Sequence, residues 1–241
     1  MLKNIKVVIP MAGLGQRFTS VGFDKIKPLI DVGGRPMIQA AVETLGIDGD
    51  YIFIVRKTEK IEELKNLIAS IKPGSKIIEI SEVTEGPACT CLLAKGYIDN
   101  KDPLIIANCD QIMEWDCVKF LKHAEKYDGS VVTYNSDTPK NSYVKINEEG
   151  HAVEFAEKKV ISEHSLNGIH YWRHGEDFIR SAETMISNNE RTNNEFYVAP
   201  TYNYLIKEGK KISSFKIPKE SHNPVGTPED LDKYANRRLS R

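Results

Sequence analysis

Residues 5–18 read Ile-Lys-Val-Val-Ile-Pro-Met-Ala-Gly-Leu-Gly-Gln-Arg-Phe, an apolar run that leads into two closely spaced glycines. The run over residues 5–10 predicts a buried first strand. Glycines directly after a strand let backbone N–H groups approach phosphate oxygens, and Arg17 and Lys27 can add positive charge. The segment predicts a phosphate-binding loop, with these nucleotide-binding candidates: Ala12, Gly13, Leu14, Gly15, Gln16, Arg17 and Lys27.

Beyond this loop, the first half of the chain alternates β-rich runs with helical patterns. Further strands are predicted over residues 51–55, 76–80, 104–107 and 130–134. Helices are predicted over residues 36–45, 61–71, 88–95 and 118–124. Continuous Val and Ile runs between helices are typical of a mostly parallel sheet that is covered on both faces. The predicted fold class is therefore α/β, with a Rossmann-like, mostly parallel mixed sheet flanked by helices.

The pattern changes after about Asp137. Two β-rich segments, 143–146 and 151–157, flank a turn and predict a hairpin, and residues 167–172 predict another strand. Helices are predicted over 176–187 and 197–207, a strand over 211–217, and a last helix starting at Thr227-Pro228. Since no repeat, linker or low-complexity stretch interrupts the sequence, we expect one domain, residues 1–241, with two lobes (1–135 and 136–241) and a cleft between them.

Composition and charge exclude several classes of function. The 241 residues include 33 Lys and Arg against 34 Asp and Glu, a net charge of -1, which argues against nucleic acid as a partner. No apolar run approaches the roughly 18 residues that span a bilayer, so we expect no membrane partner. The four cysteines form no metal-type C-x-x-C pair, and a reduced, cytoplasmic location is the expectation.

Three interpretations of the glycine loop compete. A dinucleotide-binding loop requires G-x-G-x-x-G, but Phe18 stands where the third glycine belongs, which disfavours a nicotinamide-dependent dehydrogenase. The Walker pattern G-x-x-x-x-G-K-[ST] is absent. A glycine turn without a ligand is the plain alternative. The spacing Gly13-x-Gly15-x-Arg17, followed ten residues later by Lys27-Pro28-Leu29, is more specific than a glycine pair alone.

With this spacing the sequence resembles the sugar-phosphate nucleotidyltransferases, or nucleotide-sugar pyrophosphorylases, of the short stand-alone type. The resemblance follows the same order along essentially the whole chain. The further matching segments are Ala-Asn-Cys-Asp (107–110), Phe-Ala-Glu-Lys (155–158), Asn-Gly-Ile-His-Tyr (167–171), Asn-Glu-Phe-Tyr (194–197) and Val-Gly-Thr-Pro-Glu (225–229). An ordered set of weak motifs is stronger than any one of them.

The resemblance implies a nucleotide-diphospho-sugar transferase fold and an enzyme of nucleotidyl transfer. Such an enzyme joins a nucleoside triphosphate to a phosphorylated sugar or other small phosphorylated acceptor and releases pyrophosphate. Arg17 and Lys27 are the implied catalytic cations, and Asp110 is the implied ligand of the cofactor Mg²⁺. Lobe 1–135 would bind the nucleotide, with further contacts at Glu85, Gly86, Pro87, Asn108 and Asp110. Lobe 136–241 would bind the acceptor through Glu157, Lys158, Asn167, Gly168 and Glu195.

Two departures from the family pattern concern the metal and the base. Many relatives carry an Asp just before the Gly-Thr turn, whereas residues 221–225 read Ser-His-Asn-Pro-Val. Asn223 is then a weak candidate ligand, substrate oxygens and water are the alternative, and a catalytically silent nucleotide-binding or regulatory module is the alternative function. Relatives that use UTP or dTTP read the pyrimidine with a Gln, which residues 81–88 lack. Because Glu82 or Glu85 can accept from a cytosine amino group, the sequence favours CTP.

Three further expectations complete the sequence-based picture. Products of such enzymes usually feed surface polysaccharide or lipid synthesis, so the resemblance implies a role in capsule or other surface polysaccharide biosynthesis. Family members are often dimers, which makes a homodimer an expectation. Cys109 is expected to be a small buried filler rather than a nucleophile, and His222 is a minor site candidate.

Overall fold

The computed structural model describes residues 2–239 of the chain. Its strands are β1 (Lys6–Met11), β2 (Asp50–Arg56), β3 (Lys76–Ile80), β4 (Leu104–Ala107), β5 (Gln111–Met113), β6 (Gly129–Asn135), β7 (Ser142–Ile146), β8 (Ala152–Glu157), β9 (His164–Trp172), β10 (Ile212–Lys216) and β11 (His222–Pro224). Its α-helices are α1 (Gln16–Thr19), α2 (Met37–Leu45), α3 (Ile61–Ile71), α4 (Pro87–Leu92), α5 (Lys95–Ile98), α6 (Cys117–Ala124), α7 (Gly175–Ser187), α8 (Tyr202–Lys207) and α9 (Pro228–Leu239). None of these helices has both the length and the apolar character that crossing a bilayer requires.

Within residues 2–239, nine strands form one central sheet in the order β10-β6-β9-β4-β1-β2-β3, with β7 paired to β8 and β9. Strand β1 is parallel to β2 and β4, and β6 is parallel to β10. Strand β9 runs antiparallel to both of its neighbours, β4 and β6. The predicted α/β class with a mostly parallel mixed sheet is confirmed. The sheet includes strands from both predicted lobes.

The first strand is buried on both faces, which explains its continuous apolar run. Val7 and Ile9 pack on one face of the sheet with α2, α3 and α6. Val8 packs on the opposite face with residues of α4, α7 and α8. Successive side chains of a strand point to opposite faces, so a strand between two helical layers has no exposed position to fill with polar residues.

Two predicted helices start or end differently in the structure. The helix predicted over 88–95 is two short helices, α4 and α5, because the chain tightens between them to i→i−3 hydrogen bonds from Leu93 to Thr90 and from Ala94 to Cys91. The helix predicted over 197–207 begins only with a 3-10 turn at Ala199–Thr201 and continues as α8. Tyr197 therefore lies ahead of the helix, outside regular secondary structure.

A small second sheet, made of β5 and β11, was not predicted. The two three-residue strands pair antiparallel, with Asn223 opposite Ile112. Just beyond this pair, the Val225 N–H donates to the Asp110 carbonyl at 2.9 Å. The pairing brings the Gly-Thr turn at residues 226–227 against Asp110.

Candidate active site

The ends of two strands and the middle of a third meet at one edge of the sheet and carry the polar residues of the site. Because β1 and β4 are parallel neighbours, the glycine loop and residues 108–110 leave the sheet side by side. Strand β9 runs the other way, with Ile169 opposite Ala107, so Asn167 and Gly168 enter at the same edge. Open α/β sheets bind ligands outside the carboxyl ends of their strands, and this edge is such a place.

The glycine loop is held open by its backbone conformation. Gly15 has φ +66°, and a Cβ at this position would lie 3.3 Å from Lys27 Cβ, so a glycine lets the loop rest against Lys27. The N–H groups of Gly13, Leu14 and Gly15 donate to no acceptor within residues 2–239. Free N–H groups beside two cations form an environment that suits phosphate oxygens.

Lys27, Asp110 and Gly226 form the centre of the site. The Lys27 Nζ lies 2.5 Å from Asp110 Oδ2, and each side chain is 23% exposed. Burial lowers the pKa of the Lys27 ammonium, but the adjacent Asp110 carboxylate outweighs burial and raises it above its ordinary value. A Cβ on Gly226 would lie 2.4 Å from Asp110 Oδ2, so only a glycine permits this close approach.

Two cavities meet at this centre. The first, which we call the loop cavity, has a volume of about 590 Å³ and is lined by the glycine loop. The second, which we call the hairpin cavity, has a volume of about 330 Å³ and is lined in part by the β7–β8 hairpin. The residues that line both cavities are Pro10, Arg17, Pro87, Asn108, Asp110 and Gly226. Ligands bound in the two cavities would therefore lie next to each other beside Arg17 and Asp110.

The loop cavity contains all but one of the predicted nucleotide-binding residues. Its lining includes Ala12, Gly13, Leu14, Gly15, Gln16, Arg17, Lys27, Gly86, Pro87, Asn108 and Asp110. Glu85 is the correction: its side chain is exposed, lies outside this lining, and pairs with Arg191 at 2.5 Å. Glu82 also lies outside the lining, and the Thr84 and Thr90 side chains, which the sequence analysis missed, line the cavity at that point.

The hairpin cavity contains most of the predicted acceptor-binding residues, namely Glu157, Lys158, Asn167 and Gly168. Glu195 lines the loop cavity and accepts a hydrogen bond at 2.5 Å from the hydroxyl of Tyr197, which lines the hairpin cavity, so its role at the acceptor stays a prediction. Glu157 is 8% exposed, and burial raises the pKa of its carboxyl although the Ser142 hydroxyl donates to it and Lys158 lies 3.4 Å away.

Asn223 does not face Asp110. Its side-chain oxygen accepts from Arg237 Nη1 at 2.5 Å, and its nitrogen lies 3.3 Å from the Ile112 carbonyl. Asn223 lines neither cavity, so its amide serves the β5–β11 region and is not available as a metal ligand. Within residues 2–239 no group of three or more His, Cys, Asp or Glu side chains is arranged to hold a metal.

Two imidazoles and one thiol at the site are wholly or partly buried. Burial lowers the pKa of His170 to about 3 and that of His222 to about 4, although Asp110 and Asp230 raise the latter, and both imidazoles line the hairpin cavity. The sequence did not predict His170 as a residue of the site. It lies two residues after Gly168 on the same strand, and residues two apart on a strand point to the same face. Burial raises the pKa of Cys109 to about 11, which keeps it a thiol.

The comparisons with known proteins identify the family and agree with this fold. A family model described as nucleotidyl transferase matches residues 6–240, and the chain belongs to that family. The bifunctional protein GlmU of Methanocaldococcus jannaschii is 30% identical over 229 residues, which are 93% of this chain and 52% of that protein. The chain spans about half the length of the curated relatives it matches.

Solved structures share the fold at low sequence identity. A nucleoside-diphosphate-sugar pyrophosphorylase from Vibrio cholerae RC9 has a TM-score of 0.84 at 21% identity, over 95% of this chain and 99% of that one. The inositol-1-phosphate CTP transferase from T. maritima has a TM-score of 0.74 at 14% identity, over 100% of this chain and 97% of that one. These structures identify the nucleotide-diphospho-sugar transferase fold.

Proposed function

We propose that this chain transfers a nucleotidyl group from a nucleoside triphosphate to a phosphorylated sugar or similar small phosphorylated acceptor, and releases pyrophosphate. One observation carries the proposal: two cavities of different character meet at Arg17 and Asp110, with Lys27 bonded to Asp110. A triphosphate in the loop cavity and a phosphate ester in the hairpin cavity would bring an attacking oxygen and an α-phosphorus together at this junction.

The chemistry requires positioning and charge neutralisation more than proton transfer. An oxygen of the acceptor phosphate attacks the α-phosphorus, the bond from that phosphorus to the β-phosphate oxygen breaks, and pyrophosphate leaves. The acceptor phosphate is already ionised, so no general base is needed. The free N–H groups of residues 13–15 and the Arg17 side chain bind the leaving pyrophosphate, and Lys27 neutralises the α-phosphate.

The donor set at the junction fits Mg²⁺ only together with the substrate. Mg²⁺ is usually bound through one or two carboxylates plus substrate phosphates and water. Asp110 is the one carboxylate that we assign as a ligand of Mg²⁺, and without substrate this carboxylate forms an ion pair with Lys27. When bound, the ion would neutralise phosphate charge as the α-phosphorus is attacked.

The hairpin cavity supplies polar groups that suit a phosphorylated acceptor. Lys158 supplies a cation for the acceptor phosphate, and its Nζ is held by the Lys140 carbonyl at 2.8 Å. Glu157 and the side-chain oxygen of Gln111, which has no partner within the described residues, are acceptors that suit hydroxyl groups. A polyhydroxylated phosphate ester fits this set, and we propose a sugar phosphate of surface polysaccharide synthesis as the first class to test.

The nucleobase is the least constrained part of the proposal. The preference for CTP depends on a contact of Glu82 or Glu85 with the base, and neither residue lines the loop cavity. The Thr84 and Thr90 hydroxyls, 2.6 Å apart, occupy that position instead. CTP stays in the proposal as one of five triphosphates that the assay compares, beside UTP and dTTP.

The catalytically silent module remains the second candidate, because one observation favours it. The carboxylate expected before the Gly-Thr turn is missing, and Asn223 does not replace it at the junction. A silent module would bind a triphosphate in the loop cavity without releasing pyrophosphate.

The experiment is a pyrophosphate-release screen of five nucleoside triphosphates against phosphorylated sugars and small phosphorylated alcohols, with Mg²⁺. We expect a signal that requires one triphosphate and one acceptor. Asp110→Asn should then lower turnover by at least about 10²-fold, the scale of losing one electrostatic stabiliser. The control is Asp99→Asn, an exposed carboxylate outside both cavities. Near-normal turnover of Asp110→Asn would overturn the assignment of Asp110.

Two proposals concern the setting of the enzyme. We propose a cytoplasmic location, where nucleoside triphosphates are abundant and the four cysteines, all free in the structure, stay reduced. We also propose a homodimer in solution, which light scattering coupled to size exclusion tests by mass.

A further inference from the structure

A segment of the second lobe, residues 189–197, forms part of the wall of both cavities; we call it the strap. Two of its side chains, Glu195 and Tyr197, are joined by a hydrogen bond at 2.5 Å and lie at the two cavities. Glu195 lines the loop cavity, Phe196 is 1% exposed and packs in the core, and Tyr197 lines the hairpin cavity. The strap therefore touches both proposed substrates, and its placement affects both binding sites.

The strap is joined to the nucleotide-binding segment through backbone contacts. The Phe196 N–H donates to the Glu85 carbonyl at 2.9 Å, and the Phe196 carbonyl accepts from the Ala88 N–H at 2.9 Å. Between them, a Cβ on Gly86 would lie 2.5 Å from the Phe196 nitrogen. The strap and residues 85–88 form one packed unit at Phe196, since their backbones are in direct contact there.

One side chain, Arg191, ties this unit together. Its Nη2 lies 2.5 Å from Glu85 Oε2, its Nη1 donates to the Asn194 carbonyl at 3.1 Å, and its Nε donates to Asn189 Oδ1 at 2.6 Å. The guanidinium carbon lies 4.0 Å from the centre of the Phe196 ring. Every nitrogen of the guanidinium has a partner, and its face has an aromatic one.

The strap follows a bent path that Arg191 helps to fix. Asn189, Asn193 and Asn194 all have positive φ, at 53°, 49° and 65°. Among residues other than glycine, Asn adopts this left-handed backbone conformation comparatively readily, and three asparagines give the strap its bends. Two of the three residues are direct hydrogen-bond partners of Arg191, so the same side chain that reaches Glu85 also holds the bent strap.

We propose that Arg191 is a positioning residue that aligns the two substrate cavities by clamping the strap to Glu85. The clamp rests on the proposed function. It acts through Glu195 and Tyr197 in the cavities, and Arg191 itself lines neither. It also gives Glu85 a role, as the anchor of Arg191 rather than as a reader of the base.

The contact sits at the surface, which makes its effect on stability small. Arg191 is 29% exposed and Glu85 66% exposed, and exposed ion pairs contribute little to folding. A loss of the clamp therefore shows in the binding of substrates, since residues 189–195 can shift while Phe196 stays buried and hydrogen-bonded to residues 85–88.

The test compares Arg191→Ala, Glu85→Ala, the double variant and a matched control, Arg180→Ala. Arg180 is also a surface arginine that pairs with two carboxylates, Asp177 and Glu208, but it is remote from both cavities. We expect Arg191→Ala to raise the KM of both substrates about tenfold with kcat within about twofold, the scale of one lost charged hydrogen bond. The double variant should add little to either single one, because both remove the same contact.

A KM of both substrates within twofold of wild type in Arg191→Ala, or an equal rise in Arg180→Ala, would overturn the clamp. Absence of pyrophosphate release by wild type with every substrate pair would overturn the proposed function instead. In that case the thermal shift produced by each triphosphate still tests the clamp, because wild type and Arg180→Ala should show it and Arg191→Ala should show a weaker one at the same concentration.

Discussion

Gly226→Ala adds one methyl group at the most crowded point of the site. The new Cβ would lie 2.4 Å from Asp110 Oδ2 and 3.1 Å from Asp110 Cγ. The backbones of the two segments that approach each other here are linked, because the Val225 N–H donates to the Asp110 carbonyl at 2.9 Å. The Asp110 carboxylate must therefore move, by about 1 Å, to restore an ordinary contact of about 3.4 Å.

The expected cost falls on catalysis. A misplacement of about 1 Å in an active site lowers the rate by about 10²-fold, which corresponds to about 2.7 kcal/mol of activation free energy. The effect on folding should be smaller. The displaced carboxylate belongs to a partly exposed ion pair with Lys27, and pairs of this kind contribute about 1 kcal/mol or less. A chain of this size would lose about 2–4 °C of melting temperature for each 1 kcal/mol.

The assay is Mg²⁺-dependent pyrophosphate release with the substrate pair that the screen identifies. Gly96→Ala is the control, since a Cβ there meets nothing within 4 Å. We expect a kcat/KM about 10²-fold below wild type for Gly226→Ala and near wild type for Gly96→Ala. Equal kcat/KM for both variants would refute the placement of Asp110 at the centre of the reaction.

Three further variants address the two cavities and the buried imidazole. Lys27→Met should lower kcat/KM by about 10²-fold in the same assay, because it removes the cation at the α-phosphate. The control Lys25→Met, at an exposed lysine, should leave kcat/KM unchanged. Equal losses in the two variants would contradict the role of Lys27 at the α-phosphate. Lys158→Ala should raise the KM for the acceptor about tenfold with kcat unchanged. The neighbouring variant Lys159→Ala should leave the acceptor KM unchanged. Equal acceptor KM values in the two variants would contradict the placement of Lys158 at the acceptor phosphate. His222 has a pKa of about 4 in the fold, so below about pH 6.5 the unfolded chain binds a proton first and stability falls as the pH drops. In urea unfolding, His222→Phe should flatten this fall by roughly 1 kcal/mol per pH unit between about pH 6 and 5, and an unchanged slope would contradict the buried neutral imidazole.

The parts of the site that follow directly from strand ends were predictable from the sequence. The glycine loop and Asp110 come directly after buried apolar strands, and parallel neighbours place such ends at one edge. Local patterns and sheet topology therefore suffice to bring the loop, Asp110 and Gly168 together.

The rest depends on contacts between distant segments. Glu85 turns to Arg191, which lies 106 residues further along the chain, and no local pattern indicates which partner a surface carboxylate chooses. Asn223 is drawn away from Asp110 by the pairing of two three-residue strands, β5 and β11, which are too short to show a period. Glu195 lines the loop cavity although its hydrogen-bond partner Tyr197 lines the hairpin cavity. Their placement depends on the backbone contact of Phe196 with residues 85–88, a distant segment that no local pattern indicates.

The most direct measurement of the central claim follows the oxygens of the acceptor phosphate. Wild-type protein would be given the identified triphosphate, Mg²⁺ and an acceptor whose phosphate carries ¹⁸O, and the products would be weighed by mass spectrometry. Attack of the acceptor phosphate on the α-phosphorus predicts that the nucleotide-linked product keeps all of the label and that pyrophosphate carries none. Label in the released pyrophosphate would contradict the account. Release of orthophosphate without a nucleotide-linked product would contradict it as well.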